Sequence, residues 1–470
     1  MPSSPPAEGS RWCVVGAGPS GLAALRHLRA VGIDAECLER EGGAGGNWNF
    51  GAATSRVFAS TRLISSKALT GFADFPMPRH LPAYPDHRQC LDYLRSYARH
   101  FDLDRHVRLH STVERIVPFG DPGAGWIVHV AGREPRRYQG IVVANGHNHV
   151  PRLPEVPGRF TGTFLHAADY KSPMQPVSIA GRRVLVIGGG NSGCDIAVDS
   201  ARHAARTVHS TRRGYFVVPR EIYGRPADLR GERLLAMGAP LWLRRLVSLQ
   251  LIDRTIGLPH RHGLPRPDHR LYETHPVINS DLLRLIDAGA IHPAGDVTAF
   301  DGDAALFQDG TRETFDVVIA ATGYHATMPF LDARLLGLGG DTGPPADLAQ
   351  SLYLNLLHRT RDDVAMVGLI QPDSGQWGIT DLQAKLVARM AAATRRSPRA
   401  AAWLYAKRQR PAARPSIQYV DSPRHALEVE HYSYRRQLER LIAAMDRRLR
   451  HDAAARRPRP SSSTASIRSS

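Results

Sequence analysis

Residues Arg11–Glu41 read RWCVVGAGPSGLAALRHLRAVGIDAECLERE. WCVV predicts a short apolar strand. GAGPSG places Gly16, Gly18 and Gly21 in G-x-G-x-x-G spacing. LAALRHLRAVG carries apolar residues at helical spacing, and DAECLE predicts a second strand ending at Glu39. Each part has a physical task. Gly16 permits the tight turn, Gly18 lets backbone approach a pyrophosphate, and Gly21 lets helix and strand pack closely. The helix N-terminus turns its partial positive charge towards the phosphates. Glu39 lies about 20 residues beyond the loop, where an acid accepts hydrogen bonds from a ribose. Strand, glycines, helix, strand and acid together predict a dinucleotide site. GGAGGNWNF follows, with Gly45, Gly46 and Trp48. A second glycine patch lets backbone pass close to a bulky ligand, which favours FAD over NAD. Trp48 either lines that ligand or is a core aromatic.

The pattern recurs at Arg182–Gly214, RRVLVIGGGNSGCDIAVDSARHAARTVHSTRRG. Gly188, Gly190 and Gly193 repeat the spacing, with Asn191 and Ser192 at the helix start. No acid stands where Glu39 stood; Ser210, Arg212 and Arg213 do. An acid there would repel a 2′-phosphate, whereas arginine forks bind one bidentately. The second site is therefore expected to prefer NADPH. FDVVIAATGY, Phe315–Tyr324, predicts a buried strand ending at Thr322 and Gly323, where a sheet end meets a nucleotide. GDVTAFDGDAALFQDGTRETFD before it predicts hairpin strands. MVGLIQPDSGQWGITDLQAKLVARMAA, Met366–Ala392, predicts a strand, a glycine-bearing loop and a helix whose N-terminus faces the flavin ring, with Gln383 a further cofactor-binding candidate. The expected fold class is α/β, with two Rossmann-like, doubly wound dinucleotide-binding domains and the NADPH domain inserted into the FAD domain. The expected boundaries are a disordered leader at 1–10, the first part of the FAD domain at 11–170, and the NADPH domain at 171–328 with a helical insert near 215–280. The second part of the FAD domain and a C-terminal helix take 329–450, and a disordered basic tail takes 451–470.

The chain has 470 residues and a formal charge of +17, of which residues 389–470 carry +13, from 19 Lys/Arg against 6 Asp/Glu. An excess confined to one helix and a Ser-rich tail predicts a solvated face and not a nucleic-acid surface. No apolar run of about 18 residues suggests a membrane span, and the start lacks the apolar region of a secretory signal. Cys13, Cys37, Cys90 and Cys194 show no C-x-x-C spacing. A reducing, cytoplasmic location is expected. His260, His262, His269 and His275 lack metal-ligand spacing, so no metal site is expected. The insert's LLAMGAPLWLRRLVSLQLIDRTIG has three open roles: a lid, a dimer contact that would make a homodimer, or a membrane-surface helix.

Two nucleotide folds in one chain divide the labour: one holds a flavin and the other brings the nicotinamide that reduces it. A disulfide reductase would need a C-x-x-C pair, which is absent. Oxygen activation needs little acid–base machinery from the protein. Between the loops, FTGTFLHAADY gives F-x-G-x-x-x-H-x-x-x-Y with Phe160, Gly162, His166 and Tyr170. With GAGPSG, GGNW, SSKALTGFADFPMP (Ser65–Pro78), GGGNSG, STRRG and ATGY, it resembles the flavin-containing monooxygenases, class B flavoprotein monooxygenases related to the Baeyer–Villiger enzymes. The resemblance spans roughly residues 11–390. It implies bound FAD, NADPH as reductant, O2 and a small-molecule substrate as partners, and a C4a-(hydro)peroxyflavin as oxygenating species. It also implies that His166 and Tyr170 couple nicotinamide position to flavin chemistry and that Ser65 and Ser66 lie near the reacting groups. Tyr170 leans towards N- and S-oxidation, since Baeyer–Villiger relatives usually carry another residue there. Ketone oxygenation is the nearer alternative, and an NADPH oxidase without productive oxygenation the more distant one. Ile64 departs from the family, many of whose members have Asn there. An apolar side chain cannot replace that amide, so either serine compensates or hydrogen peroxide leaks.

Overall fold

A computed structural model describes residues 10–121, 123–331, 351–412, 417–420 and 425–456. Nearly all of the expected leader, residues 457–470 of the expected tail and part of the 329–450 segment lie outside the described residues. The chain opens with β1 (Trp12–Val15), α1 (Pro19–Ala30), β2 (Ala35–Leu38), α2 (His87–His100), β3 (Val107–Arg108) and β4 (Gly140–Val143). It continues through β5 (Thr163–His166), β6 (Arg183–Ile187), α3 (Asn191–Ala201), β7 (Arg206–Ser210), α4 (Ala227–Ala236) and α5 (Leu241–Ile256). Then come β8 (His292–Ala294), β9 (Val317–Ala320), β10 (Leu352–Tyr353), β11 (Leu357–His358), β12 (Val364–Met366), α6 (Gln376–Arg396), α7 (Pro398–Arg408) and α8 (His431–Ala455).

Two sheets carry the molecule. The first runs β10-β11-β12-β4-β1-β2-β3, parallel from β12 to β3. The second, β5-β9-β6-β7-β8, is parallel throughout. WCVV in β1 and GIVV in β4 are buried at every position, as parallel strands covered on both faces require. β4 and β12 lie side by side although more than 200 residues separate them, and the second sheet is built wholly from that intervening chain. The NADPH-type domain is therefore inserted into the FAD-type domain. α1 packs against α6, and their apolar faces share one core with α2 and α8.

The second sheet starts earlier than the boundary expected at residue 171. β5 is its edge strand, pairing Thr163 to His166 with Val317 to Ala320. Gly158–Phe160 likewise joins the expected hairpins of residues 297–314 in a four-stranded sheet. The fingerprint thus enters the second domain as its first strand rather than lying outside it. The two crossings between domains pair as a short ladder, Val150–Pro151 against Tyr324–His325.

The insert folds as α4 and α5 over the junction of the domains. Arg244 of α5 meets Glu430 at 3.0 Å, with both side chains nearly sealed from solvent (5% and 0% exposed). Arg245 pairs with Glu273 at 2.7 Å. Glu232 of α4 meets Arg435 at 3.0 Å and also bonds His431, both on α8. The Arg244 and Glu232 contacts dock the insert on α8 and the residue before it, while the Arg245 pair is internal to the insert. Met237 and Trp242 stay exposed on its outer side. Among the described residues, no helix is long and apolar enough to cross a membrane.

Candidate active site

The first loop is shaped by what cannot fit in it. Gly16 sits at φ +99°, and a Cβ there would lie 2.7 Å from the Ala144 oxygen at the end of β4. A Cβ on Gly21 would lie 1.7 Å from the Gly16 oxygen. Gly18 faces the second glycine patch: a Cβ on Gly46 would stand 2.8 Å from the Gly18 Cα. α1 has no side-chain cap and no acid in its first turn, so its leading N–H groups are left without a capping side chain of the helix itself. Glu39 is buried; one carboxylate oxygen accepts the Ala17 N–H at 2.6 Å and the other the Glu41 N–H at 3.0 Å. The acid thus sits against the loop's own backbone. A bare backbone cradle at an uncapped helix N-terminus beside a fixed acid suits the diphosphate and ribose of a dinucleotide. Trp48 is half-buried and meets Trp377 edge-to-face, with ring centroids 5.4 Å apart. It therefore packs on the core while standing beside the cradle.

The strand ends beyond this loop form a small cleft lined by Val143, Asn145, Gly146, Met328, Met366 and Gly368. Gln383 sits behind it, fully buried. Its amide oxygen accepts the Gly368 N–H at 2.9 Å and its amide nitrogen donates to the Tyr434 hydroxyl at 2.7 Å. Gln383 holds the cleft's backbone from behind. α6 begins at Gly375 with no side-chain cap and no first-turn acid, leaving a second set of free N–H groups next to the cleft.

The second loop repeats the first. Gly188 sits at φ +123° with a would-be Cβ 2.4 Å from the Ala321 oxygen, and a Cβ on Gly193 would lie 1.9 Å from the Gly188 oxygen. Gly190 precedes α3, which also lacks a side-chain cap and a first-turn acid. His209 buttresses the loop from below. Its Nε2 bonds the Gly188 oxygen at 3.1 Å, and burial pulls the ring down to about 4, so it is neutral and donates there. Asn191 is turned to the insert, accepting the Ile278 N–H at 2.8 Å and donating to the Pro276 oxygen at 3.2 Å. Ser192 is exposed in the first turn of α3. Ser210 is buried and donates to the Gly295 oxygen at 2.7 Å. Arg213 pairs with Asp268 at 2.6 Å, whereas Arg212 is exposed with no protein partner among the described residues. Thr322 donates to the Arg152 oxygen at 2.5 Å, and Gly323 follows it into the crossing ladder.

The fingerprint residues divide between strand and junction. His166 ends β5, accepts the Ala168 N–H on Nδ1 at 3.0 Å, and meets Tyr324 edge-to-face at 5.3 Å. Burial lowers its pKa and keeps the ring neutral. Tyr170 is buried; its hydroxyl donates to Asp199 of α3 at 2.8 Å, and its ring meets Phe58 at 5.5 Å. Ser60 donates to the same Asp199 oxygen at 3.1 Å. Asp199 therefore joins the fingerprint, the NADPH-type helix and a loop of the first domain. Burial and that carboxylate raise the Tyr170 pKa, so the hydroxyl keeps its proton.

Ile64 is half-buried at the start of the Ser65–Thr70 turn. Ser65 and Thr70 share a hydrogen bond of 2.8 Å, and Thr70 donates onward to the Ser66 oxygen at 2.9 Å. Ser66 is buried and its Oγ has no hydrogen-bond partner among the described residues. Of the two serines, only Ser66 has an unused hydroxyl. The turn abuts the loop before α6: a Cβ on Gly375 would lie 2.0 Å from the Leu69 oxygen. Reasoning from sequence missed Asp199 and His147. His147 follows β4, is kept neutral by burial and has a buried Nδ1 without a partner among the described residues. Its only signal was its place four residues beyond the end of β4, a strand end that faces a nucleotide cleft.

Comparison with known proteins adds an independent line. A family model described as flavin-binding monooxygenase-like matches residues 9–448. Flavin-containing monooxygenase 5 of Mus musculus is 32% identical over 457 residues, which cover 92% of this chain and 82% of that protein. Dimethylaniline monooxygenase (N-oxide-forming) 2 of Pan troglodytes is 32% identical over 396 residues, 80% of this chain and 72% of that protein. The open structure of cyclohexanone monooxygenase shares the fold, with a TM-score of 0.67 at 17% identity over 93% of this chain and 98% of that one.

Proposed function

Because this chain belongs to the flavin-binding monooxygenase-like family, we propose that it binds FAD in the first glycine loop and NADPH in the second and oxygenates a soft nucleophile, an amine nitrogen or a sulfide sulfur. The observation that carries the reading is the pair of matching cradles, Gly16–Gly21 with Gly46 and Gly188–Gly193, tied together through Tyr170, Asp199 and Ser60. A dimethylaniline N-oxide-forming relative at 32% identity supports nitrogen as an acceptor. Bound flavin would supply the electron transfer from NADPH and the activation of O2.

The chain's own residues bind, orient and exclude water. The uncapped ends of α1 and α3 receive the two diphosphates, with Glu39 beside the flavin ribose and Arg212 at the NADPH 2′-phosphate. Gln383 fixes the Gly368 backbone at the cleft. The insert covers the Ser65–Thr70 turn and keeps the reacting groups from bulk water. Ile64 offers no hydrogen bond at the turn, so this reading includes a fraction of NADPH turnover that releases hydrogen peroxide. Four buried cysteines, none in a disulfide among the described residues, suit a reducing compartment, and we place the enzyme in the cytoplasm.

The test is stoichiometric. FAD-loaded protein is supplied with NADPH, O2 and, separately, a tertiary amine, a sulfide and a ketone. The expected result is one oxygenated amine or sulfide per NADPH consumed, less the peroxide leaked. Oxygenation of the ketone alone would move the enzyme to the Baeyer–Villiger branch. NADPH consumption matched entirely by hydrogen peroxide, with no product from any of the three, would overturn the oxygenase reading.

A further inference from the structure

A cavity of about 140 Å³ opens beside the starts of β1 and β2, the strands whose other ends carry the Gly16 loop and Glu39. Its charged and titratable lining is Arg11, Asp34, Glu36, Arg105, His106 and Arg108. Arg105 and His106 stand in the short turn before β3, and Arg108 ends that strand. The acids are already engaged. Asp34 pairs with Arg11 at 2.6 Å and with Arg29 at 3.4 Å. Glu36 is buried; it bonds Arg108, accepts the Tyr138 hydroxyl at 2.7 Å, and has Arg11 at 3.4 Å and Arg136 at 3.9 Å. Asp102, behind the turn, pairs with Arg105 at 2.5 Å. In this network five arginines meet three carboxylates, so two positive charges are left over. Donors are left over as well. A guanidinium has five N–H groups. Among the described residues the Arg105 side chain has no partner but Asp102, and the Arg108 side chain none but Glu36. Both are open to solvent, at 68% and 45% exposed. Neighbouring groups register the excess. Burial, with the charges of Arg105 and Arg11, lowers the Arg29 pKa although Asp34 opposes it. Burial, with Arg29 and Arg105, lowers that of His106 and keeps the ring neutral.

Arginine forks match the geometry of oxyanions and bind them in pairs of parallel N–H bonds. We propose that this cavity is a binding site for a phosphate-type dianion, held by the free donors of Arg105 and Arg108 with Arg11 behind them. The dianion's two charges cancel the two that the network leaves over. The volume is below the roughly 300 Å³ at which pockets take whole drug-sized molecules, so the ligand is free phosphate or the phosphate end of a small ester. An ion shared by Arg11, Arg105 and Arg108 joins the start of β1 to β3 across β2. Binding to the folded sheet alone raises its stability by mass action. The proposal does not depend on the oxygenase reading, because neither glycine loop lines the cavity.

The experiment uses the full chain loaded with FAD and NADP+, so that the glycine cradles are filled before the probe is added. Inorganic phosphate is titrated at constant ionic strength against chloride. Calorimetry reads the binding, and the NMR titration of the His106 ring reads the place. Phosphate is expected to saturate one site, to raise the melting temperature and to raise the His106 pKa, because a dianion in the cavity favours the imidazolium. Arg105→Gln removes one charge at an exposed position. It is expected to weaken phosphate by about 10-fold, the lower end for a charge-assisted bond, and to shrink the His106 shift. Glycerol 3-phosphate separates the two sources: tighter binding than phosphate makes the ligand a phosphomonoester, and weaker binding makes it the free ion, both within the proposal. Phosphate that binds no better than chloride overturns it. So does phosphate that binds and leaves the His106 pKa in place, since the ion then sits elsewhere. Undiminished affinity in Arg105→Gln overturns it too. Should that variant fail to fold, the His106 titration of the wild-type protein decides alone.

Discussion

Arg212 and Arg213 are neighbours in sequence with different work. Arg213 is committed to Asp268, whose carboxyl it pulls down to about 2 together with His269. Arg212 is exposed and has no partner among the described residues, so it is the arginine left to fork onto a 2′-phosphate. Arg212→Ala should raise the apparent KM for NADPH by about 10- to 100-fold, if the lost charged hydrogen bonds are each worth roughly 1.5–3 kcal/mol. NADH should be nearly unaffected, and Arg213→Ala should show the smaller effect. Steady-state kinetics with both nucleotides checks this, and an equal loss with NADH would remove the 2′-phosphate assignment. Sequence alone nominated both arginines, because spacing places a residue at a strand end but does not tell which way its side chain pairs. The glycines were more legible. Their requirement is steric and local, as the would-be Cβ of Gly21 against the Gly16 oxygen shows. Ser210 and Gln383 were nominated as cofactor ligands, and both direct their polar atoms into the protein.

Among the elements, those with a periodic apolar pattern and a loop signature were legible: β1–α1–β2, β6–α3–β7 and the helix after Met366. α2 had a readable start as well, since Asp86 and Gln89 form a reciprocal capping box with bonds of 3.0 Å. The edge strand β5 was not legible, because an edge partner is chosen by tertiary pairing with β9 and not by the strand's own pattern. The docking of the insert was illegible for the same reason: Arg244 and Glu430 lie 186 residues apart. That pair predicts how the insert is held. Its desolvated charges make breaking it more damaging than its net contribution suggests. Arg244→Ala should destabilise the docked insert by about 3–5 kcal/mol, read as faster hydrogen exchange across α4 and α5. Both glycine loops should keep their protection. Unchanged exchange in the insert would mean that Glu232 holds it on α8 without Arg244.

For the whole molecule, hydride transfer requires the nicotinamide to reach the flavin, so the relative placement of two domains is itself a functional quantity. The two crossings pair over only two residues on each strand, which makes side-chain ties between domains important. Asp199 is such a tie: it stands on the NADPH-type helix and accepts from Tyr170 of the fingerprint and Ser60 of the first domain. Tyr170→Phe removes one of those donors while keeping the ring against Phe58. A buried carboxylate deprived of a donor costs about 1–3 kcal/mol, and here the loss falls on domain alignment as well as on stability. The expected outcome is a slower reduction of FAD by NADPH in anaerobic rapid mixing, with the dissociation constant for NADP+ unchanged, because neither glycine loop is touched. Asp199→Asn keeps acceptor capacity and should lie between wild type and Tyr170→Phe. If Tyr170→Phe weakens nucleotide binding and leaves the reduction rate intact, the fingerprint tyrosine shapes the second site alone and the coupling role belongs elsewhere. A lowered melting temperature with both binding and reduction unchanged would reduce Tyr170 to a core residue.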